Sequence, residues 1–231
     1  MMRFDILTLF CEMMDACLDE SIIGRAKRAG YLEIHTHQIR DFSKDKHHRV
    51  DDYPYGGGPG MLMQVQPIYD AFGHVCEEIG HRPHLIYLSA KGQPFTAAKA
   101  KALSAYPELC LLCGHYEGVD ERVLDLLEPE EISLGDFVLT GGEIAALAVV
   151  DAVCRFVPGV LSSSESYLSE SHMDGLLEYP QYTRPEEFMG LRVPEVLLSG
   201  HHAKIKKWQQ EKALEQTRQK RPDLYEKYRE K

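Results

Sequence analysis

The sequence has little cysteine: six residues, at 11, 17, 76, 110, 113 and 154, in a chain of 231. That is too sparse for a disulfide scaffold at this length. An ordinary soluble, folded protein remains, and the composition of 44% hydrophobic and 27% charged residues reads the same way. The one close cysteine pair, Cys110 and Cys113, lies inside the apolar run at 109–113. Strand residues three apart face opposite sides, which is poor geometry for a shared metal and assigns both to core packing. Long hydrophobic runs are missing, and no charged-then-apolar leader opens the chain. A cytoplasmic protein with no membrane partner is the expectation. Two nucleotide signatures are missing as well. No GK[ST] occurs, which excludes a P-loop, and the glycine run at 56–60 does not fit G-x-G-x-x-G.

Charge of one sign dominates, with 36 acids against 26 Lys and Arg and a formal net charge of −10. The total argues against nucleic acid as a partner, but the distribution does not. Residues 201–231 carry ten Lys and Arg against five acids. A second basic stretch, 25–50, holds Arg25, Lys27, Arg28, Arg40, Lys44, Lys46 and Arg49 with four histidines, at 35, 37, 47 and 48. A phosphate-binding face is compatible with an acidic protein arranged in this way; a solvated surface is the alternative.

The N-terminal half reads as alternating strands and helices. Strands are expected at 4–10, 31–39, 84–89 and 109–113, with helices to about 28, at 96–104, at 119–127 and, nearly all small and apolar, at 142–153. In 31–39, Leu32, Ile34, Thr36 and Gln38 share one side and His35 and His37 the other. This order argues for a largely parallel sheet with helices on its faces. Residues 41–60 and 161–178 break the pattern as long, polar, functional-looking segments. Beyond the second, 203–220 reads as a basic helix ending before Pro222. The expected division is an α/β domain over 1–160, a loop over 161–178 and a small helical domain over 179–231.

Three glycine-bearing segments are the loudest local signals. Tyr55–Met61 reads YGGGPGM, and its glycines permit positive φ and close backbone approach to a ligand. Gly114-His115-Tyr116-Glu117-Gly118 follows the fourth expected strand, at the edge where open parallel sheets bind ligands. Ser133–Gly142 adds a second glycine turn leading into the buried helix. Eight acids between Glu117 and Asp136, offset only by Arg122, read as a solvated face, and His201-His202 reads as polar surface. No compact metal-ligand cluster is visible.

Taken together, DDYPYGGGPGM (51–61), CGHYEGVDER (113–122), ISLGDFVLTGGE (132–143), RFVPGVL (155–161), GLLEYPQYTRPE (175–186) and VPEVLLSGHH (193–202) resemble, in collinear order over essentially the whole chain, the bacterial tRNA (guanine-N1)-methyltransferase family of the SPOUT superfamily. The resemblance implies an α/β parallel-sheet fold with a deep C-terminal trefoil knot and a small helical domain. It also implies a homodimer with active sites shared across the interface, and methyl transfer from S-adenosylmethionine to N1 of guanosine 37 in tRNA. By the same resemblance the cofactor falls to Tyr87, Leu88, Ser89, Gly114, Tyr116, Glu117, Ser133, Leu134, Gly135, Asp136, Phe137, Val138, Leu139, Gly141 and Gly142. Arg155 matches the catalytic arginine. Glu170 stands where the family has its catalytic aspartate, with Asp174 as the nearby competitor. Gly57, Gly58, Pro59, Gly60 and Met61, with Lys204, Lys206, Lys207 and Lys212, are the expected tRNA contacts, and relatives raise a requirement for Mg2+. Ala90 and Ala145 replace family prolines, Phe137 a tyrosine and Cys11 a proline. His115 replaces a frequent arginine and His201 an asparagine.

The chemistry fits these residue types. N1 of guanine offers its lone pair only as its proton leaves, so a carboxylate base is needed. Charge then develops toward O6, where an arginine donor is worth most. Part of the acidic run would sit beside a sulfonium. The rival readings are a knotted methyltransferase acting on another RNA atom and a non-catalytic RNA-binding protein that kept the scaffold.

Overall fold

The structure is a computed structural model that describes residues 1–161 and 170–230. Two compact units emerge, Met1–Ser162 and Ser163–Lys231. Serines 162, 163, 164, 166 and 169 of the 161–178 segment lie outside the described residues.

In the first unit the order is β1 (Met2–Thr8), α1 (Cys11–Leu18), α2 (Ser21–Arg28), β2 (Leu32–Gln38), a 3-10 turn (Ile39–Phe42), β3 (Asp51–Asp52) and β4 (Leu62–Met63). It continues with α3 (Val65–Ile79), β5 (His84–Pro94), α4 (Ala97–Leu103), β6 (Glu108–Cys113), α5 (Glu121–Leu127), β7 (Glu130–Ser133) and α6 (Glu143–Cys154). Among the described residues five strands form a parallel sheet in the order β2-β1-β6-β5-β7. The expected α/β class and parallel sheet are therefore present.

Alternation along the strands builds a core on each face. Phe4, Ile6, Leu109, Leu111 and Cys113 pack with Met14, Leu18, Ala100, Val149 and Val153. Leu7, Leu85, Tyr87, Cys110 and Leu112 pack with Ile68, Phe72, Val75 and Val123. Cys110 and Cys113 thus belong to opposite cores, as strand geometry requires. Each fully buried Leu, Ile or Phe contributes roughly 1.5–3 kcal/mol, so the sheet is held from both sides. Thr96 caps α4 by accepting from the Lys99 N–H at 3.2 Å. Gly80, at φ 86°, ends α3 in the left-handed conformation that favours glycine.

Three elements differ from the sequence reading. The single helix expected up to residue 28 is two, because the chain turns at Asp19–Glu20. Gly24 packs against the Asp19 backbone with no room for a Cβ. Helix α3 was not anticipated, although Ile68, Ala71, Phe72 and Val75 have helical spacing; Pro67 and Gly73 obscure it. Strand β7 lies inside the acidic run taken for a solvated face, where only Ile132 and Ser133 are buried.

The second unit contains the hairpin β8 (Glu187–Phe188) and β9 (Leu191–Arg192), then α7 (Glu195–Leu198), α8 (His202–Lys220) and α9 (Pro222–Arg229). The basic helix ends just before Pro222, as expected. Among its described residues only Leu176 and Thr217 are buried. The Thr217 hydroxyl accepts from the Leu177 N–H at 2.8 Å and donates to the Ala213 carbonyl at 2.7 Å. Among the described residues no helix is long and apolar enough to cross a membrane.

Candidate active site

The carboxyl ends of β5, β6 and β7 converge on a cavity of about 300 Å³ in the first unit. Its wall is formed by residues 87–91, 114–119, 131–134 and 137–142, with Glu121, Leu124 and Ala145. Thirteen of the fifteen residues assigned to cofactor binding are among them. Gly135 and Asp136 are not; they belong to the turn behind the wall, where Gly135 accepts from the Ser133 hydroxyl at 3.0 Å.

Main chain makes much of this wall, and the glycines explain how. A Cβ on Gly142 would lie 2.7 Å from the Cys113 Cα and 3.0 Å from the Gly114 nitrogen. The Gly142 N–H donates to the Gly114 carbonyl at 2.8 Å, and His115 bridges Gly141. Two loops therefore pack backbone to backbone, an approach that a side chain at either glycine would block. A Cβ on Gly114 would fall 3.0 Å from the Tyr87 ring and hydroxyl. On the β5 side the ladder to β7 shifts register between Leu88 and Gln93, which frees residues 89–91 to line the opening.

The cavity is polar where it matters. Among the described residues, Glu131 Oε2 and His115 Nδ1 are buried without a hydrogen-bond partner. An unsatisfied buried polar atom costs roughly 1–3 kcal/mol, so the wall carries polar strain at these two residues. Burial, then the charge of Glu131, raises the Tyr87 hydroxyl above its ordinary pKa. Glu117, Glu121 and Glu131 line the same space, giving it a negative character suited to a cationic ligand. The solvated-face reading of the acidic run therefore fails for Glu131, whereas Glu117 and Glu121 are exposed at the mouth of the cavity. It fails for Glu130 too, which pairs with Lys99 and with His84 at 2.8 Å.

The glycine-rich segment reaches the same site. Gly56, Gly57, Gly58 and Gly60 all have positive φ, and residues 57–60 are exposed. The Met61 carbonyl accepts from the Glu117 N–H at 3.0 Å, and a Cβ on Gly60 would lie 2.5 Å from the Glu117 side chain. Met61 and Gly60 thus buttress Glu117, while Gly57, Gly58 and Pro59 present open backbone.

Other assigned residues lie elsewhere. Arg155 caps the C-terminal end of α6, half-buried, and does not line the cavity. Glu170 and Asp174 belong to the second unit. Glu170 is half-buried, whereas Asp174 is exposed and accepts from the Leu176 N–H at 3.0 Å, a local turn bond. Lys204, Lys206 and Lys207 are exposed on α8 and Lys212 is half-buried. Lys207 pairs with Glu211 at 3.8 Å and Lys212 with Glu215 at 2.6 Å. Sequence reasoning missed Lys91, Glu121 and Glu131 as wall residues. The signal for Glu131, one acid before a buried Ile, was drowned by the acids around it.

Residues 2–227 match the family described as tRNA (Guanine-1)-methyltransferase TrmD. Curated relatives include a tRNA (guanine-N(1)-)-methyltransferase of Ruminiclostridium cellulolyticum, 54% identical over 226 residues, or 98% of this chain and 97% of that protein. The protein of the same description from Clostridioides difficile is 52% identical over the full length of both. That of Caldanaerobacter subterraneus subsp. tengcongensis is 58% identical over 98% of this chain and 92% of its own. The match fixes the architecture as well, a SPOUT-type α/β fold with a trefoil knot. The end-to-end match and the parallel sheet lead to one assignment: the chain belongs to the bacterial TrmD family of tRNA (guanine-N1)-methyltransferases.

Proposed function

We infer that the chain methylates N1 of guanosine 37 in tRNA, with S-adenosylmethionine as donor. The observation that carries the reading is the cavity at the ends of β5, β6 and β7, walled by backbone and lined by three glutamates. When bound there, the donor supplies an electrophilic methyl group on a sulfonium.

The protein's own residues supply the rest. Residues 114–116 and 134–142 offer main-chain donors and acceptors at fixed positions, so a planar base and a ribose are oriented without side-chain rearrangement. Glu117, Glu121 and Glu131 stabilise positive charge, and His115 Nδ1 and Glu131 Oε2 take up polar contacts. Glu170 accepts the N1 proton as the N1–methyl bond forms and the sulfur–methyl bond breaks. Arg155 donates toward O6, where negative charge grows. Gly57–Met61 receive the nucleotide, and Lys204, Lys206, Lys207 and Lys212 position the tRNA backbone through phosphates, without reading sequence. A requirement for Mg2+ belongs to the same reading, and titrating the metal against single-turnover methylation tests it.

A homodimer with shared sites completes the reading. Phe137, Val138, Leu139 and Ile144 leave apolar surface exposed beside the cavity, Val138 at 85%, and a second copy would cover it. Mixing Arg155→Ala with Glu170→Gln protein tests the sharing: activity should reappear in mixed dimers, and none despite proven exchange would sink it. For the reaction itself, transfer of labelled methyl to undermethylated tRNA should depend on guanosine at position 37. Transfer to a tRNA lacking that guanosine would favour another target atom, and binding without transfer would favour a non-catalytic RNA-binding protein.

A further inference from the structure

A group of side chains outside the methyl-transfer cavity has no role in that chemistry. His37 is the penultimate residue of the edge strand β2, and His74 and Glu78 stand four residues apart on α3. One ligand atom from each lies within 4.8 Å of the others. In the sheet order β1 separates β2 from β6, and none of the three residues lines the cavity. The sequence showed no compact ligand cluster because position 37 is remote from 74 and 78 along the chain.

We propose that His37, His74 and Glu78 form a binding site for a divalent cation of the zinc type, which would clamp the edge strand β2 to α3.

Geometry supports the assignment first. Zinc with ligands at about 2.0–2.1 Å in a tetrahedron sets its ligand atoms roughly 3.3–3.4 Å apart. His74 Nε2 and Glu78 Oε1 are already 3.3 Å apart, so two ligands stand at the required edge and His37 has only to close in. Two imidazoles and one carboxylate leave a fourth position for water. A nitrogen-rich set of this kind suits zinc, cobalt or nickel rather than magnesium.

The surroundings complete the pattern. Asp5, fully buried on β1, accepts from His37 Nε2 at 2.8 Å. That bond places the imidazole proton on Nε2 and leaves the other nitrogen as the lone-pair atom, the carboxylate–histidine arrangement that supports metal ligands. Charge balances as well. Asp5, Glu33 and Glu78 surround Arg3, which contacts them at 2.8, 3.8 and 3.2 Å. Three carboxylates against one guanidinium leave a deficit of two positive charges, which a dication cancels. Arg3 binds Glu78 through Oε2, so Oε1 stays available. The His74 and Phe42 rings pack 5.3 Å apart between centroids, which restrains the helical ligand.

The test uses the full-length, tag-free protein and two probes, Co2+ for its spectrum and Zn2+ for affinity. Wild-type protein should take up one Co2+ per chain with the intense visible bands of a four-coordinate nitrogen–oxygen site, and Zn2+ should displace it. Zn2+ should also raise Tm, because a ligand of the folded state alone stabilises it. His74→Ala and Glu78→Gln, both at half-exposed helical positions that leave the core intact, should weaken Zn2+ binding by about 10–100-fold or more and abolish the Tm shift. Asp5→Asn should weaken binding too, provided circular dichroism shows it folded; Glu78→Gln decides the matter if it is not. The proposal is overturned by equal Zn2+ affinity in wild type and both helix variants, or by no saturable uptake. A thiolate-to-cobalt band, placing the ion on Cys76 or another cysteine, overturns it equally.

Discussion

The two units solve opposite problems. The first buries strands and helices in two apolar cores and fixes a cavity whose wall is largely main chain. Among its described residues the second buries only Leu176 and Thr217 and turns a basic helix to solvent. A small donor is served by a preformed site, because every protein rotamer frozen on binding weakens affinity. A large polyanion needs charge spread over a surface, and positional accuracy within an ångström matters less. If this division holds, substitutions should separate: changes in the cavity wall lose the cofactor, and changes in the second unit lose RNA or proton transfer with cofactor binding intact.

The largest expected effect tests the second half of that statement. Glu170→Gln should slow single-turnover methylation at saturating cofactor and tRNA by roughly 10²–10⁴-fold, the usual worth of a general base, with cofactor affinity unchanged. Asp174→Asn should stay near wild type, because the Asp174 carboxylate serves a turn through the Leu176 N–H. The reverse pattern would move the base to Asp174. Next, Gly142→Val should cost cofactor affinity about 10–100-fold, since overpacking carries roughly 1–3 kcal/mol and the Cys113 backbone cannot retreat. Calorimetric titration of S-adenosylmethionine measures it; an unaltered affinity would mean that the two loops are free to separate.

How much of this was legible in the sequence depends on what was being asked. The strands around Phe4–Thr8, Leu32–Gln38 and Glu108–Cys113 were readable because apolar runs and alternation mark buried sheet. The helix Val65–Ile79 was not, because Pro67 and Gly73 interrupt a pattern whose apolar positions were otherwise right. The glycine loops of the site were visible as residues, but their mutual packing was not. Nothing local in 113–114 or 141–142 says that the two backbones touch. Glu131 was hidden for a different reason, since acids on a surface and an acid on a cavity wall look alike until the strand beneath is placed. The resemblance, not the periodicity, carried the roles of Arg155 and Glu170.

Smaller effects sharpen the contrast further. Alanine at Lys204, Lys206, Lys207 and Lys212 should flatten the logarithmic salt dependence of tRNA binding by roughly 0.7–0.9 for each phosphate no longer neutralised. Cofactor binding should not change, and an unchanged slope would return α8 to plain solvated surface. The smallest effect belongs to the sheet. Burial pushes the Glu130 carboxyl up, but Lys99 and His84 beside it prevail and hold it below its ordinary value. A depressed carboxylate adds stability above its unfolded pKa, about 4.3, and loses it as pH falls through the lower folded value. Glu130→Gln should therefore reduce the loss of stability on acidification from about pH 5 to pH 3, as read by urea unfolding. An identical acid limb would show that these ion pairs are solvent-screened.

The backbone contact between Gly142 and Cys113–Gly114 has a further consequence, for drug resistance. A compound that draws its affinity from carbonyl and amide groups of these loops touches atoms that every amino acid shares. Point mutation changes side chains, and at Gly114, Gly141 and Gly142 it adds one where there is no room. Escape through those positions would impair the proposed donor site along with the inhibitor. Escape is more accessible at Ser89 and Lys91, which line the opening outside the apolar patch of Phe137 and Val138. An inhibitor that avoids leaning on those two residues leaves fewer single-step routes to resistance.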